Sequence, residues 1–378
     1  MFSTRFQVFR AFGIPIYLDL SWFVVALLIS WSLADSVFPT SLPGRTASSY
    51  WFLGVTTTLG LFCSIVLHEL AHALVAQRFL VPIRGITLFI FGGVAEMGEE
   101  PPSPRAEFLV AIAGPIASVV VAVLCFASAA ILATAESATT VLRFLAGLNL
   151  ILVVFNMIPA FPLDGGRVLR SFLWSWRRDL RWATRVTSWI GSAFGAVLIA
   201  LGLYRALFSG DLIGGIWSFM IGMFLRNAAQ MSYRHVLIRR ALEGEPVARF
   251  MKTECVTVPR AIPVSDLVQE YVYRYHFKMF PVVDGDRLLG CVTTRAIKRL
   301  PQAEWPNQSV GTILEPCSAE NTVAPDADAM SALARMSQGK VSRLMVVEGD
   351  RLVGILALKD LLGFLSLKVE LEGRESST

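Results

Sequence analysis

The chain has 378 residues, of which 54% are hydrophobic and 17% charged, with a formal net charge of +5 and a mean hydropathy of +0.57. Soluble domains carry roughly 25% charged residues, so this composition excludes a wholly soluble enzyme and points to a chain built for a bilayer. The five cysteines show no CxxC or finger spacing, which argues against a disulfide framework or a thiolate metal module, and the modest net charge does not read as nucleic-acid binding.

Taken in order, residues 1–15 are short and mixed, with Arg5 and Arg10 ahead of an apolar run. That run is long enough to span a membrane and lacks a clear small-residue cleavage site, so it reads as a retained first span over about residues 17–37. A second span over about 51–80 is closed by Pro82. The segment from Gly85 to Ala95 is β-branched and aromatic and ends in the pair Gly92-Gly93. It reads as a strand or hairpin, buried at membrane depth or lining a wet cavity, with an edge able to pair with an extended peptide, or equally as an ordinary interfacial loop. A loop rich in glutamate and proline follows, then a third span over about 106–133 with Gly114-Pro115 inside it, where a kink or re-entrant break is expected. The fourth span, about 141–159, runs into Asn156-Met157-Ile158-Pro159-Ala160-Phe161-Pro162-Leu163-Asp164-Gly165-Gly166-Arg167, a turn that presents one carboxylate. Two more spans are expected over about 189–208 and 213–231.

The arginines orient these spans. Arg78, Arg84, Arg105, Arg167, Arg170, Arg177, Arg178, Arg181, Arg185, Arg234, Arg239 and Arg240 fall on the side of Arg5 and Arg10, whereas Arg45, Arg143 and Arg205 fall on the other. The asymmetry predicts a multi-pass membrane protein of six spans with both termini cytoplasmic. After Glu243-Gly244-Glu245-Pro246 the apolar runs shorten and a repeat begins: residues 281–290 (PVVDGDRLLG) match residues 345–354 (MVVEGDRLVG). Each copy reads as helix, strand, Gly-Asp turn, strand, helix. The expected domains are 1–242 in the membrane, then repeats over 247–302 and 310–367, with a charged tail after about Leu367 that frays.

Chemistry concentrates in the second span, at Leu67-His68-Glu69-Leu70-Ala71-His72. On a helix His68 and His72 share one face and can bind one tetrahedral metal ion, zinc by ligand type. Glu69 lies next round the helix, within reach of a water that it can deprotonate as general base. A hydrolytic site needs a third ligand. Asp164 is favoured because two glycines follow it and it ends on the same side of the membrane; Glu96, Glu99, Glu100, His235 and His276 are the alternatives. Asn156 is a candidate for hydrogen-bonding a substrate backbone or oxyanion, with an interhelical hydrogen bond as the alternative.

The motif His68-Glu69-Leu70-Ala71-His72, the Gly114-Pro115 pair and the segment from Asn156 to Pro162-Leu163-Asp164-Gly165 together resemble the site-2 protease family of intramembrane zinc metalloproteases. The segment ending in Gly92-Gly93 resembles that family's membrane-associated β-hairpin, and the repeat resembles a tandem CBS pair. The resemblance implies an α-helical polytopic membrane protein of about six transmembrane helices plus this hairpin, with a C-terminal α+β tandem CBS module. It implies one Zn2+ per chain on His68, His72 and Asp164, with Glu69 as base, and substrate contacts at Asn156, Gly92 and Gly93. The implied location is the cell inner membrane, and the implied partners are the lipid bilayer and transmembrane protein substrates, such as an anti-sigma factor or a membrane-bound transcription factor precursor. CBS pairs bind adenine nucleotides through a Gly-x-hydrophobic-Thr-x-x-Asp run. Here Thr293 has Ala296 in the aspartate's place, and Asp360 lacks the threonine, so each half keeps one piece; dimerisation through the pair is the other role implied. The competing reading is a CBS-regulated membrane transporter or channel, in which the intramembrane polar residues line an ion path.

Overall fold

The computed structural model describes residues 5–339 and 341–372 and divides into two compact units, Met1–Arg234 and His235–Thr378. Among the described residues six helices are long and apolar enough to cross a membrane: α1 (Leu20–Ser41), α2 (Ala47–Arg78), α3 (Pro104–Ile131), α4 (Glu136–Asn156), α6 (Leu180–Phe208) and α7 (Leu212–Leu242), which begins in the first unit and ends in the second, with a shorter α5 (Asp164–Arg177) between α4 and α6. Their starts are set by side chains that satisfy the first free N–H groups. Asp19 accepts from Ser21 N, Thr46 from Ser49 N, Ser103 from Ala106 N with Pro104 behind it, and Asp179 from Arg181 N and Trp182 N. Inner faces are lined by small residues, among them Ala73, Ala76, Ala106, Ala111, Ala122 and Ala146, so the backbones pack closely. The outer faces expose Phe52, Ile116, Leu124, Ile151, Val154, Val197 and Leu207, as helices facing lipid would.

A four-stranded sheet lies against α2, in the order β1 (Arg5–Ala11), β2 (Ile14–Asp19), β3 (Ile83–Phe89), β4 (Gly92–Met97). The expected hairpin is β3–β4. The N-terminal residues, read as a short mixed segment and the entry to the first span, add two strands to it. The turn at Phe12-Gly13 has positive φ at both residues, and Ile14 and Ile16 then alternate inward onto Leu70, Ala73 and Ile86. The sheet therefore seats on the turn of α2 that carries the histidines.

Two further expectations are corrected. Of the kink or re-entrant break expected at Gly114-Pro115, the break does not occur: α3 runs through Pro115 for 28 residues. Proline costs it only the bond to the Ala111 carbonyl, and packing against α2, α4 and α5 keeps the remaining turns in register. The chain leaves α4 at Asn156, and residues 164–177, expected to continue from a turn at Asp164 as a basic inner-side segment, form the amphipathic α5. α6 accordingly begins at Leu180, earlier than residue 189.

The second unit contains strands β5 (Val258–Pro259), β6 (Met279–Asp284), β7 (Arg287–Thr293), β8 (Glu315–Pro316), β9 (Thr322–Val323), β10 (Arg343–Glu348) and β11 (Arg351–Ala357), ordered β5-β6-β7-β11-β10-β9 with β8 on β7. The repeat is visible in register. Val282 pairs with Gly290 and Val346 with Gly354; a bulge follows at Val283 and at Val347; and Gly285 and Gly349 take φ near +60° in the matching turns. Each half has its own core, one around Phe280, Val282 and Val292, the other around Leu344, Val346 and Leu356. The last helix runs from Leu358 to Glu372, and the rest of the expected charged tail lies outside the described residues.

Candidate metal centre

One group in the described residues has metal-ligand geometry: His68, His72 and Asp164, each offering one ligand atom, all within 4.8 Å of one another. His68 Nε2 lies 3.1 Å and His72 Nε2 3.2 Å from Asp164 Oδ2, and the two Nε2 atoms are 3.2 Å apart. A tetrahedral zinc ion about 2.0–2.1 Å from each ligand would separate them by about 3.3 Å, so the donor set fits such an ion.

The α3 helix aims the imidazoles. His72 Nδ1 donates to the Val110 carbonyl at 2.6 Å, and His68 Nδ1 is 2.9 Å from Ser118 Oγ. A proton on His72 Nδ1 leaves Nε2 as a lone pair facing the centre. Both rings are buried, 3% exposed. Gly114, between these two anchors, makes the approach feasible: a Cβ there would overlap His72 Nε2 and stand 2.6 Å from His68 Nε2.

Asp164 is the first residue of α5, where the helix N-terminus favours a carboxylate. Residues 157–163 fold tightly to deliver it, with Ala160 N donating to the Ile158 carbonyl and Leu163 N to the Ala160 carbonyl. The two glycines after Asp164 let α5 start directly against that turn. A Cβ on Gly165 would overlap the Met157 carbonyl, and one on Gly166 would lie 2.7 Å from the Ala160 oxygen. On α6, Gly191 likewise leaves room for the Phe161 carbonyl.

Glu69 is half-buried and makes no part of the donor set. Its Oε2 accepts from Ala95 N of β4 at 3.1 Å, and Gly93 packs over it, since a Cβ there would be 2.7 Å from Glu69 Cγ. β4 is an edge strand of the sheet, so its Gly92 and Gly93 lie on the strand that borders the general-base candidate.

The remaining sequence candidates fall elsewhere. Glu96 is paired with Arg5 and Thr87, and Glu100 faces Arg170. His276 belongs to the second unit, as does His235. Asn156 is the last residue of α4 and makes no side-chain hydrogen bond among the described residues. In the second unit Thr293 donates to Glu315 Oε1 at 3.1 Å, and Asp360 Oδ1 lies 3.6 Å from Lys252 Nζ. The sequence reading overlooked Val110, Ser118, Gly191 and the buried pair Glu107–Arg170. Glu107 alone had a cue, a carboxylate in the first turn of an apolar span; Arg170 was absorbed into the orienting arginines.

Residues 56–134 and 130–201 match peptidase family M50, and residues 247–302 and 316–367 match the CBS domain. The chain is 35% identical over 356 residues to Rip3 of Mycobacterium tuberculosis, a protein named as a zinc metalloprotease, covering 93% of this chain and 90% of that one. It is 28% identical over 369 residues to the zinc metalloprotease MJ0392 of Methanocaldococcus jannaschii, covering 97% and 98%. Of solved structures, the site-2 protease from Methanocaldococcus jannaschii aligns at 28% identity and a TM-score of 0.44, over 61% of this chain and 95% of that one. A buried two-histidine, one-aspartate centre among membrane-length helices and a match of this extent lead to one conclusion: the chain belongs to the site-2 protease family, as an intramembrane zinc metalloprotease of peptidase family M50 with C-terminal tandem CBS domains.

Proposed function

We propose that His68, His72 and Asp164 hold the zinc ion and Glu69 is the general base, and that the peptide bonds cut lie in transmembrane segments of other membrane proteins. The observation that carries this reading is the convergence of two imidazole nitrogens and one carboxylate oxygen, all buried, beside a half-buried Glu69 that is free of the donor set. When bound, zinc supplies Lewis acidity toward a carbonyl and lowers the pKa of water. The chain supplies the rest. Val110 and Ser118 hold the two rings in place, and Glu69 takes a proton from the attacking water and returns it to the leaving amide nitrogen. An extended substrate segment is taken up along β4, where Gly92 and Gly93 permit close backbone approach, and Asn156 is assigned to the substrate backbone.

Zinc content tests the ligand set. Purified wild type should carry about one zinc per chain. His68→Ala should lose it, and Asp164→Asn should bind it much more weakly. Full zinc affinity in Asp164→Asn would remove Asp164 from the set.

The arginine distribution supports a cytoplasmic face for both termini and the CBS pair, in an inner membrane. Single-cysteine variants test this with a membrane-impermeant maleimide. Exposed Cys317 should stay unlabelled in intact cells and react after permeabilisation. Cys291 should resist in both states and react only on denaturation, because burial, reinforced by Glu315, pushes its thiol up. Labelling of Cys317 in intact cells would invert the topology. Thr293 is held by Glu315 Oε1 and Asp360 Oδ1 faces Lys252, so an adenine nucleotide bound at the pair would share these groups with their present partners.

A further inference from the structure

We infer that the Glu107–Arg170 ion pair is a positioning device, setting where Asp164 stands relative to the two histidines. Glu107 is 0% exposed and Arg170 4%, inside a membrane unit where ionised side chains are costly. Arg170 Nε and Nη2 both donate to Glu107 Oε1, and Nη1 lies 3.7 Å from Glu100 Oε1. The guanidinium carbon is 5.2 Å from the centroid of the Phe161 ring.

The two partners sit on the two elements whose spacing defines the metal centre. Glu107 is on α3, one turn before Val110, and that helix also supplies Gly114 and Ser118. Arg170 is on α5, six residues after Asp164, and Phe161 is in the turn that delivers Asp164. One guanidinium therefore holds the helix that aims the imidazoles, the helix that begins with the carboxylate and the turn between α4 and α5. Apolar side chains of similar volume would join α3 to α5 at no greater cost, since burying a pair of charges takes back most of what their attraction contributes. What apolar packing does not provide is the fixed fork of an arginine, with donors at set angles to one carboxylate and a flat face to a ring.

This inference rests on Asp164 being a zinc ligand, and a double-mutant cycle separates the two ideas. Zinc affinity is measured by competition with a chromophoric chelator, in the purified full-length chain, for wild type, Arg170→Lys, Asp164→Asn and the combination. Arg170→Lys should weaken zinc by about tenfold or more, the range seen when the partners of metal ligands are altered. It should also shift the d–d absorption of the cobalt-substituted protein, which a loss of fold stability alone would not do. In the Asp164→Asn background the same change should cost less than about twofold, because its effect passes through that carboxylate. Equal losses in both backgrounds, or no loss from Arg170→Lys, would overturn the positioning role and leave the ligand set standing. Unweakened zinc in Asp164→Asn would overturn both. If Arg170→Lys does not yield folded protein, Glu107→Gln with Arg170→Gln replaces it in the cycle, with the same outcomes read the same way.

Discussion

Glu69→Gln is expected to slow peptide-bond cleavage by about a thousandfold or more while zinc stays at the wild-type level. That loss corresponds to about 4 kcal/mol of transition-state stabilisation, within the range attributed to a single general base. The separation of the two readouts follows from geometry. Glu69 contributes no atom to the cluster of His68 Nε2, His72 Nε2 and Asp164 Oδ2, so an amide in its place leaves the donor set intact. The glutamine oxygen can still accept from Ala95 N, so β4 keeps its seat on α2. Only the ability to take a proton from water is lost. The measurement is cleavage of a single-span reporter protein in vesicles, with zinc determined on the same preparation. Cleavage above a tenth of wild type would move the base to another residue. Loss of zinc together with cleavage would show that Glu69 supports the ligands rather than the water.

The catalytic half of the molecule was legible because its signals are local. Four-residue spacing of His68 and His72 specifies one helical face whatever surrounds it, and a carboxylate followed by two glycines after a membrane span is unusual enough to stand out. The six apolar runs and the 281–290 and 345–354 repeat were likewise readable as strings. What stayed hidden depends on partners distant in sequence. β2 is a strand because Ile14 and Ile16 find Leu70, Ala73 and Ile86 some fifty to seventy residues on. Read alone, Ile14-Pro15-Ile16-Tyr17 looks like the entry to a helix. α5 was not anticipated, because Arg167, Arg170 and Arg177 were read only as basic residues flanking the membrane, although the stretch is helical and one-sided. The pair Glu107–Arg170 spans 63 residues, and no window that short sees both members.

The Gly114-Pro115 pair shows how a correct motif can carry the wrong physical reading. Proline suggested a kink or a break; α3 is continuous, and the consequential residue is the glycine before it. Gly114→Ala is therefore expected to abolish zinc binding and cleavage together. A Cβ at that position would overlap His72 Nε2 and lie 2.6 Å from both His68 Nε2 and His72 Cε1. None of these atoms can give way cheaply. His72 is held to the Val110 carbonyl and His68 to Ser118 on the same helix, while α2 beneath them is fixed by Leu70 and Ala73 packing on the sheet. The methyl group would sit where the two Nε2 atoms converge, so either the rings turn or α3 withdraws, and both remove the site. The fold itself should lose only about 1–3 kcal/mol, the usual range for one methyl group too many in a packed interior. Gly147→Ala is the matching control, because nothing lies within 4 Å of a Cβ there and alanine favours the helix; its zinc content and cleavage should equal those of wild type. Full zinc in Gly114→Ala would mean that α3 is not the wall against which the metal site is built, and the anchoring of the two imidazoles by Val110 and Ser118 would lose its functional meaning.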